Sequence, residues 1–138
     1  NKAVATVDAA GKVTVKGPGV AKITVKAAAT TDYKAASKTV TVTVAPKKQS
    51  ISLVNKIKKQ LMIKWKKNTK ASGYQVVYST NKKFTGKKTV RKAKTTTSYK
   101  IKGLKKGKKY YVKVRSYKTV NGKRIYGAYS TAKKATIK

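Results

Sequence analysis

The chain of 138 residues has no cysteine, no histidine and no glutamate, and its only acidic side chains are Asp8 and Asp32. Each absence removes a class of chemistry. Without thiolate or imidazole, two isolated carboxylates do not make a donor set for a metal centre. Acid–base and nucleophilic catalysis draw on His, Glu, Asp or a tuned Lys or Tyr with a partner group, and such partners are missing here. Asp8 falls in the turn Asp8-Ala9-Ala10-Gly11 and Asp32 opens a loop, positions where a carboxylate serves neighbouring backbone N–H groups. We therefore expect no catalytic, cofactor-binding or metal-ligating residue. Lack of cysteine also removes disulfides as a stabilising device. No apolar run approaches the roughly 18 residues of a membrane-spanning helix. With one Phe and one Trp, only modest cores are within reach at this length. The chain opens at Asn1 without an initiator Met or a leader pattern, and we read it as a piece of something longer.

What the chain does have is lysine. Lys and Arg total 37, the formal net charge is +35, and nothing after Asp32 is acidic. The apolar residues are mostly Val, Ala, Ile and Tyr set among Thr and Lys, which suits half-buried strands. In the first segment, Ala3 to Val7, Lys12 to Lys16, Ala21 to Lys26 and Lys38 to Val44 each alternate apolar with polar, the period of a strand with one wet face. Gly17-Pro18-Gly19 and Thr30-Thr31-Asp32-Tyr33 supply turn chemistry between them. Pro46 cannot continue a central strand, and Lys47-Lys48-Gln49-Ser50 reads as a linker that buries nothing. The expected division is a domain over 1–46, a linker over 47–50 and a second domain over 51–138.

The pattern Val4-Ala5-Thr6-Val7-Asp8, Gly11-Lys12-Val13-Thr14-Val15-Lys16, Gly19, Ala21-Lys22-Ile23-Thr24-Val25 and Thr39 to Val44 resembles the C-terminal half of the bacterial immunoglobulin-like domain of group 2, over residues 2 to 46. The family's first three strands and its core Trp have no counterpart here. The resemblance implies an incomplete sandwich, either trimmed or covered by a partner chain or by the second domain.

In the second segment Leu61, Ile63 and Trp65 alternate on one strand, Tyr74, Val76 and Tyr78 on another, and Tyr110, Val112 and Val114 on a third, with glycines at the breaks. This segment resembles a fibronectin type III domain, marked by Trp65, Gly73-Tyr74-Gln75-Val76, and Leu104 followed by Tyr110 at the spacing of the tyrosine corner. More narrowly, it is similar to the lysine-rich type III domains of secreted Gram-positive, clostridia-like proteins. The expected fold is all-β: antiparallel Ig-like β-sandwiches, the first incomplete and the second seven-stranded. The resemblance implies a secreted, extracellular or cell-wall-associated accessory module and names no ligand.

The lysines cluster at Lys56, Lys58 and Lys59; at Lys64, Lys66, Lys67 and Lys70; at Lys82, Lys83, Lys87 and Lys88; and at Lys105, Lys106, Lys108 and Lys109. A solvated face explains an ordinary cluster, but a solubility surface normally mixes signs, and this one does not. We expect these groups, with Arg124, to receive polyanions. Because Arg is scarce and Lys acts as a point charge, sequence-specific base readout is not expected, while nonspecific nucleic-acid binding in vitro is. Teichoic acids and acidic glycans are the anionic polymers expected of a bacterial surface. Tyr74, Tyr78 and Tyr110 fall on inward positions, with Tyr117 and Tyr129 expected to join them, which leaves Tyr111 and Tyr126 as the exposed stacking candidates. A passive spacer or assembly element, or a host-glycan adhesin, fits the same residues.

Self-repulsion at this charge opposes compaction and is screened over about 10 Å at 0.1 M salt. The melting temperature is therefore expected to rise with added sodium chloride in differential scanning fluorimetry; a steady fall would contradict it.

Overall fold

The computed structural model describes all residues 1–138, and every regular element is a strand. The chain divides into two compact units, Asn1–Val44 and Ala45–Lys138.

The first unit contains β1 (Ala5–Val7), β2 (Val13–Val15), β3 (Gly19–Ala27) and β4 (Ala36–Val44). β1 pairs with β2 and β3 with β4, both antiparallel, with Ala5 opposite Val15 and Ile23 opposite Val40. Side chains alternate across a strand, so each ribbon has an apolar face and a Thr/Lys face. On the polar face the hydroxyls of Thr24 and Thr39 lie 3.0 Å apart. Asp8 does what its turn position predicts, its Oδ1 accepting the Lys12 N–H at 2.8 Å. The ribbons meet in a small core of Val4, Ala5 and Ala21 with Val44 against it. Only glycine fits at Gly19, whose φ is 148° and whose missing Cβ would stand 2.7 Å from Val4 Cγ2. Elsewhere the apolar faces stay open: Val15 is 57% exposed and Val25 62%.

The second unit contains β5 (Ile51–Val54), β6 (Leu61–Trp65), β7 (Gly73–Ser79), β8 (Lys88–Ala93), β9 (Ser98–Ile101), β10 (Lys109–Val120), β11 (Lys123–Tyr126) and β12 (Lys133–Thr136). One sheet runs β5-β6-β9; the other runs β11-β10-β7-β8, with β12 also on β10. Leu61, Ile63 and Trp65 from the first sheet and Tyr74, Val76, Val112 and Val114 from the second share one core, closed by Ile51, Ile101, Leu104 and Ile137. That interdigitation defines a sandwich.

Against the seven strands expected, this unit has eight, because two short strands share one edge of β10. β12 pairs with residues 109–112 of β10 and β11 with residues 117–120. Between them Gly127 N–H donates to Ser116 O at 2.9 Å and Ser130 N–H to Val114 O at 2.7 Å. β11 and β12 are thus two pieces of one broken strand along β10. Gly127 lies at the break because a Cβ there would collide with the Pro46 carbonyl.

The core's aromatic centre is Trp65 against Tyr74, ring centroids 5.4 Å apart and tilted by 54°. Tyr74 is fully buried, and its hydroxyl accepts the Asn68 N–H at 2.6 Å, so its polar tip is satisfied. Tyr78, Tyr99 and Tyr110 pack around the core's rim. Burial, and then the neighbouring Tyr99 and Tyr110, push the Tyr78 phenol above its ordinary pKa, which keeps it protonated. The Tyr110 hydroxyl accepts the Lys105 N–H at 3.4 Å, the contact expected of a tyrosine corner.

The run 47–50 buries more than its polarity predicts. Ser116 takes an inward position on β10 and is fully buried, so its hydroxyl needs a partner. It donates to Lys47 O at 3.2 Å and accepts from Gln49 Nε2 at 3.4 Å, leaving Gln49 only 7% exposed.

Adjacent residues of β6 separate core from surface. Ile63→Ala is expected to lower the unfolding free energy by about 2–5 kcal/mol through lost transfer energy and a residual cavity. Lys64→Ala, one residue away on the wet face, should change it by less than about 0.5 kcal/mol. Urea denaturation followed by Trp65 fluorescence checks both; equal effects would contradict the inward and outward assignment.

Candidate anion-binding surface

Leu104 is buried, and it anchors the β9–β10 loop. Gly107 turns the loop at φ 74°, its N–H donating to Ile137 O, while Lys108 N–H closes back on Lys105 O at 3.2 Å. Lys105, Lys106 and Lys108 stand on this loop and Lys109 begins β10, all four exposed. In the β7–β8 connection Asn81 organises the turn, with its Oδ1 accepting Lys83 N–H at 2.7 Å and its carbonyl accepting Phe84 N–H at 2.9 Å. Ser79 Oγ donates to Thr85 O at 2.8 Å from the same side. Lys82, Lys83 and Lys87 project from this connection and Lys88 begins β8, again all exposed.

Register brings these clusters to one end of the sandwich. Ser79, at the end of β7, lies opposite Tyr111 near the start of β10, and Tyr78 lies opposite Lys88 at the start of β8. Ile101, at the end of β9, lies opposite Leu61 at the start of β6. Leu104 N–H donates to Lys59 O and Lys59 N–H to Lys138 O, both at 3.0 Å, which ties the β5–β6 loop to the same end. Lys56, Lys58 and Lys59 therefore join the eight lysines of the other two loops. Lys64 and Lys66 flank the inward Trp65 and are exposed, as expected, but belong to the other end of β6. There Lys66 lines a shallow depression with Lys47, Lys48, Lys67 and Lys70.

A second arrangement lies on the outer face of the four-stranded sheet. Val112, Val114 and Ser116 point inward from β10, so Tyr111, Lys113, Arg115 and Tyr117 point outward. Lys113 Nζ sits 4.1 Å from the centroid of Phe84 and 4.5 Å from that of Tyr129. The Arg115 guanidinium sits 4.4 Å from Tyr129 and 3.9 Å from Tyr126. Tyr126 packs on Tyr117 at 5.8 Å, and Arg124 lies 5.5 Å over Tyr117. The result is a ladder of alternating rings and cations. Gln75, 7% exposed, fixes its middle: its Oε1 accepts Arg115 Nε–H at 2.7 Å and the Tyr129 hydroxyl at 3.0 Å.

This face corrects one sequence expectation. Tyr117 and Tyr129 are not inward; both are half-buried on the outer face. Tyr117 follows the odd-numbered register of β10, and Tyr129 lies in the break between β11 and β12, where strand alternation does not apply. Tyr111 and Tyr126 are half-buried on the same outer face, and Tyr126 alone of the two has a cation over its ring. Arg124 is exposed and belongs to the ladder. Lys113, Arg115, Gln75 and Phe84 were not singled out from sequence. The period-two run Tyr111, Lys113, Arg115, Tyr117 against inward valines is the signal that marks Lys113 and Arg115; Gln75 and Phe84 have no such signal.

The pairing has a simple physical cause. No side chain after Asp32 offers a carboxylate, so aromatic faces and amide oxygens are the partners open to half-buried cations. Each cation–π contact contributes about 0.5–1 kcal/mol at an exposed site.

The comparisons with known proteins agree with this architecture. No curated protein matches the sequence. Among solved structures, the FN1–FN3 domains of chicken CNTN1 superimpose with a TM-score of 0.56 at 21% identity, covering 73% of this chain and 36% of that one. A structure described as a computer-based redesign of a β-sandwich protein gives 0.55 at 14% identity, covering 65% and 93%. The fn3 domain of the human collagen α-1(XX) chain gives 0.52 at 15% identity, covering 64% and 82%. At these identities the likeness concerns fold alone. Residues 1–30 match the intimin immunoglobulin-like domain, where sequence reading placed a group 2 Ig-like half over 2–46. The fibronectin type III domain model matches residues 44–132, more than half of the protein, and the chain belongs to the fibronectin type III family.

Proposed function

We propose that the chain is a non-catalytic accessory module of a secreted Gram-positive bacterial surface protein, a partial Ig-like domain over 1–46 joined by 47–50 to a type III domain over 51–138. Its work is to hold a larger protein to anionic cell-wall polymers through diffuse lysine charge. The observation that carries this reading is the convergence of three lysine-bearing loops at one end of a sandwich whose sequence contains no acidic side chain. Family membership supports a structural or adhesive module. Each polymer phosphate that meets an ammonium group releases a counterion, so binding is multivalent and falls steeply with salt.

A second reading is favoured by the first unit. Its apolar ribbon faces are open, with Val15, Val25 and Val40 exposed, and such faces recruit another chain. In that reading the protein is a spacer or assembly element, and the lysines keep it soluble.

Retention on purified Gram-positive walls separates the two. The wild-type chain is expected to bind intact walls, to lose binding when teichoic acid is stripped, and to elute at a salt midpoint distinct from charge-matched polylysine. Replacing Lys105, Lys106, Lys108 and Lys109 together by Gln should lower that midpoint. Equal retention on both walls, with a concentration-dependent dimer by sedimentation, would replace the anchor by the assembly reading.

A further inference from the structure

The outer face of the four-stranded sheet carries chemistry that the loop lysines lack. A loop lysine is a point charge on a flexible stem, and holding it still on a ligand costs rotamer entropy. Arg115 is already held: Tyr126 and Tyr129 stack on it at 3.9 and 4.4 Å, and Gln75 takes its Nε–H at 2.7 Å. That bond is the only hydrogen bond its guanidinium makes, so both terminal nitrogens keep their donors for a ligand. The Tyr126 hydroxyl is likewise uncommitted, while that of Tyr129 is engaged by Gln75.

The occupied rings narrow the class of ligand. A nucleic-acid base stacks on an open aromatic face, but here Phe84, Tyr117, Tyr126 and Tyr129 already carry cations over their rings, which leaves Tyr111 as the single outward ring of this face without one. What the face presents is a line of N–H and O–H donors in a unit that contains no acidic side chain to repel an anion. Such a line suits oxyanions flanked by hydroxyls. An acidic polysaccharide carries both, as carboxylate, sulfate or phosphate groups on hydroxyl-rich rings. The site is also a sheet face and not a closed pocket, which fits an extended polymer. The net charge of +35 supplies the complementary sign.

We propose that this ring-and-cation face, centred on Arg115 and Arg124, is a binding site for an acidic polysaccharide. It rests on the polyanion reading above and assigns the selective contacts to this face, leaving general attraction to the loops.

The test compares two charge-matched double variants of the full chain by affinity electrophoresis at about 0.15 M salt, against dextran sulfate, polygalacturonate, neutral dextran and oligo-dT. Arg115→Gln with Arg124→Gln should weaken binding to the two acidic polysaccharides about tenfold. Lys106→Gln with Lys108→Gln, the same loss of charge on a loop, should weaken it less than about threefold. Arg124→Gln alone, at an exposed position, should keep the melting temperature and still lose part of the affinity, which separates loss of the site from loss of the fold. Equal losses in the two double variants would overturn the site and leave the polyanion reading standing. Wild-type binding to acidic polymers no tighter than to neutral dextran would overturn that reading, and the site with it. Ladder-dependent binding of oligo-dT without binding of the acidic polysaccharides would overturn the glycan assignment in favour of nucleic acid.

Discussion

The want of carboxylates is the constraint on which the rest of this structure turns. The second unit, Ala45–Lys138, has to place every one of its lysines and arginines without an acidic side chain of its own. Burying an unpaired charge is prohibitive, so most of these groups go to loops and outward strand positions where water solvates them. Among the half-buried ones, Lys92 takes the Tyr99 ring, Lys113 the rings of Phe84 and Tyr129, and Arg115 the rings of Tyr126 and Tyr129 with the Gln75 amide oxygen. The interior is correspondingly neutral: aliphatic side chains around Trp65 and Tyr74, with Ser116 and Gln49 satisfying one another and Lys47 O.

The two units meet this constraint with different resources. The second encloses residues from both of its sheets in one core, and closes its broken last strand through Gly127 and Ser130 on β10. The first has Val4, Ala5 and Ala21 as its buried set, and its longest strands leave most of their residues exposed. Local stability follows the density of buried apolar contacts. The type III sandwich is thus the rigid part, and both the lysine-rich end and the ring-and-cation ladder are built on it.

Much of the fold was legible in the sequence. Strict alternation placed Leu61, Ile63 and Trp65 inward and Lys64 outward, and the spacing from Leu104 to Tyr110 carried the contact between the Tyr110 hydroxyl and Lys105 N–H. The lysine clusters were legible as residues but not as neighbours. Their convergence depends on register between β7, β8 and β10 and between β6 and β9, and pairing partners distant in sequence leave no periodic trace. The ladder was half-legible. Tyr126 and Arg124 were among the candidates, though Tyr126, like Tyr111, was expected exposed and is half-buried, and Tyr111 has no cation over its ring. Tyr129 required knowledge of the break after β11, where alternation stops. Gln49 escaped because a polar residue in a polar run gives no sign of burial until the Ser116 hydroxyl that bonds it is in place.

The type III unit is a neutral sandwich with lysines at both ends, three lysine-bearing loops converging at one of them and a ring-and-cation ladder on one outer face, and the proposal is that anionic polymers meet that end and that face. The most direct measurement is amide chemical-shift mapping of the isotope-labelled chain titrated with a soluble anionic wall polymer. The account predicts perturbations gathered in residues 56–59, 82–88 and 105–109 and along the outward residues of β10, fading as salt is raised. Perturbations spread evenly over the chain, or confined to the open valine faces of β2, β3 and β4, would contradict it.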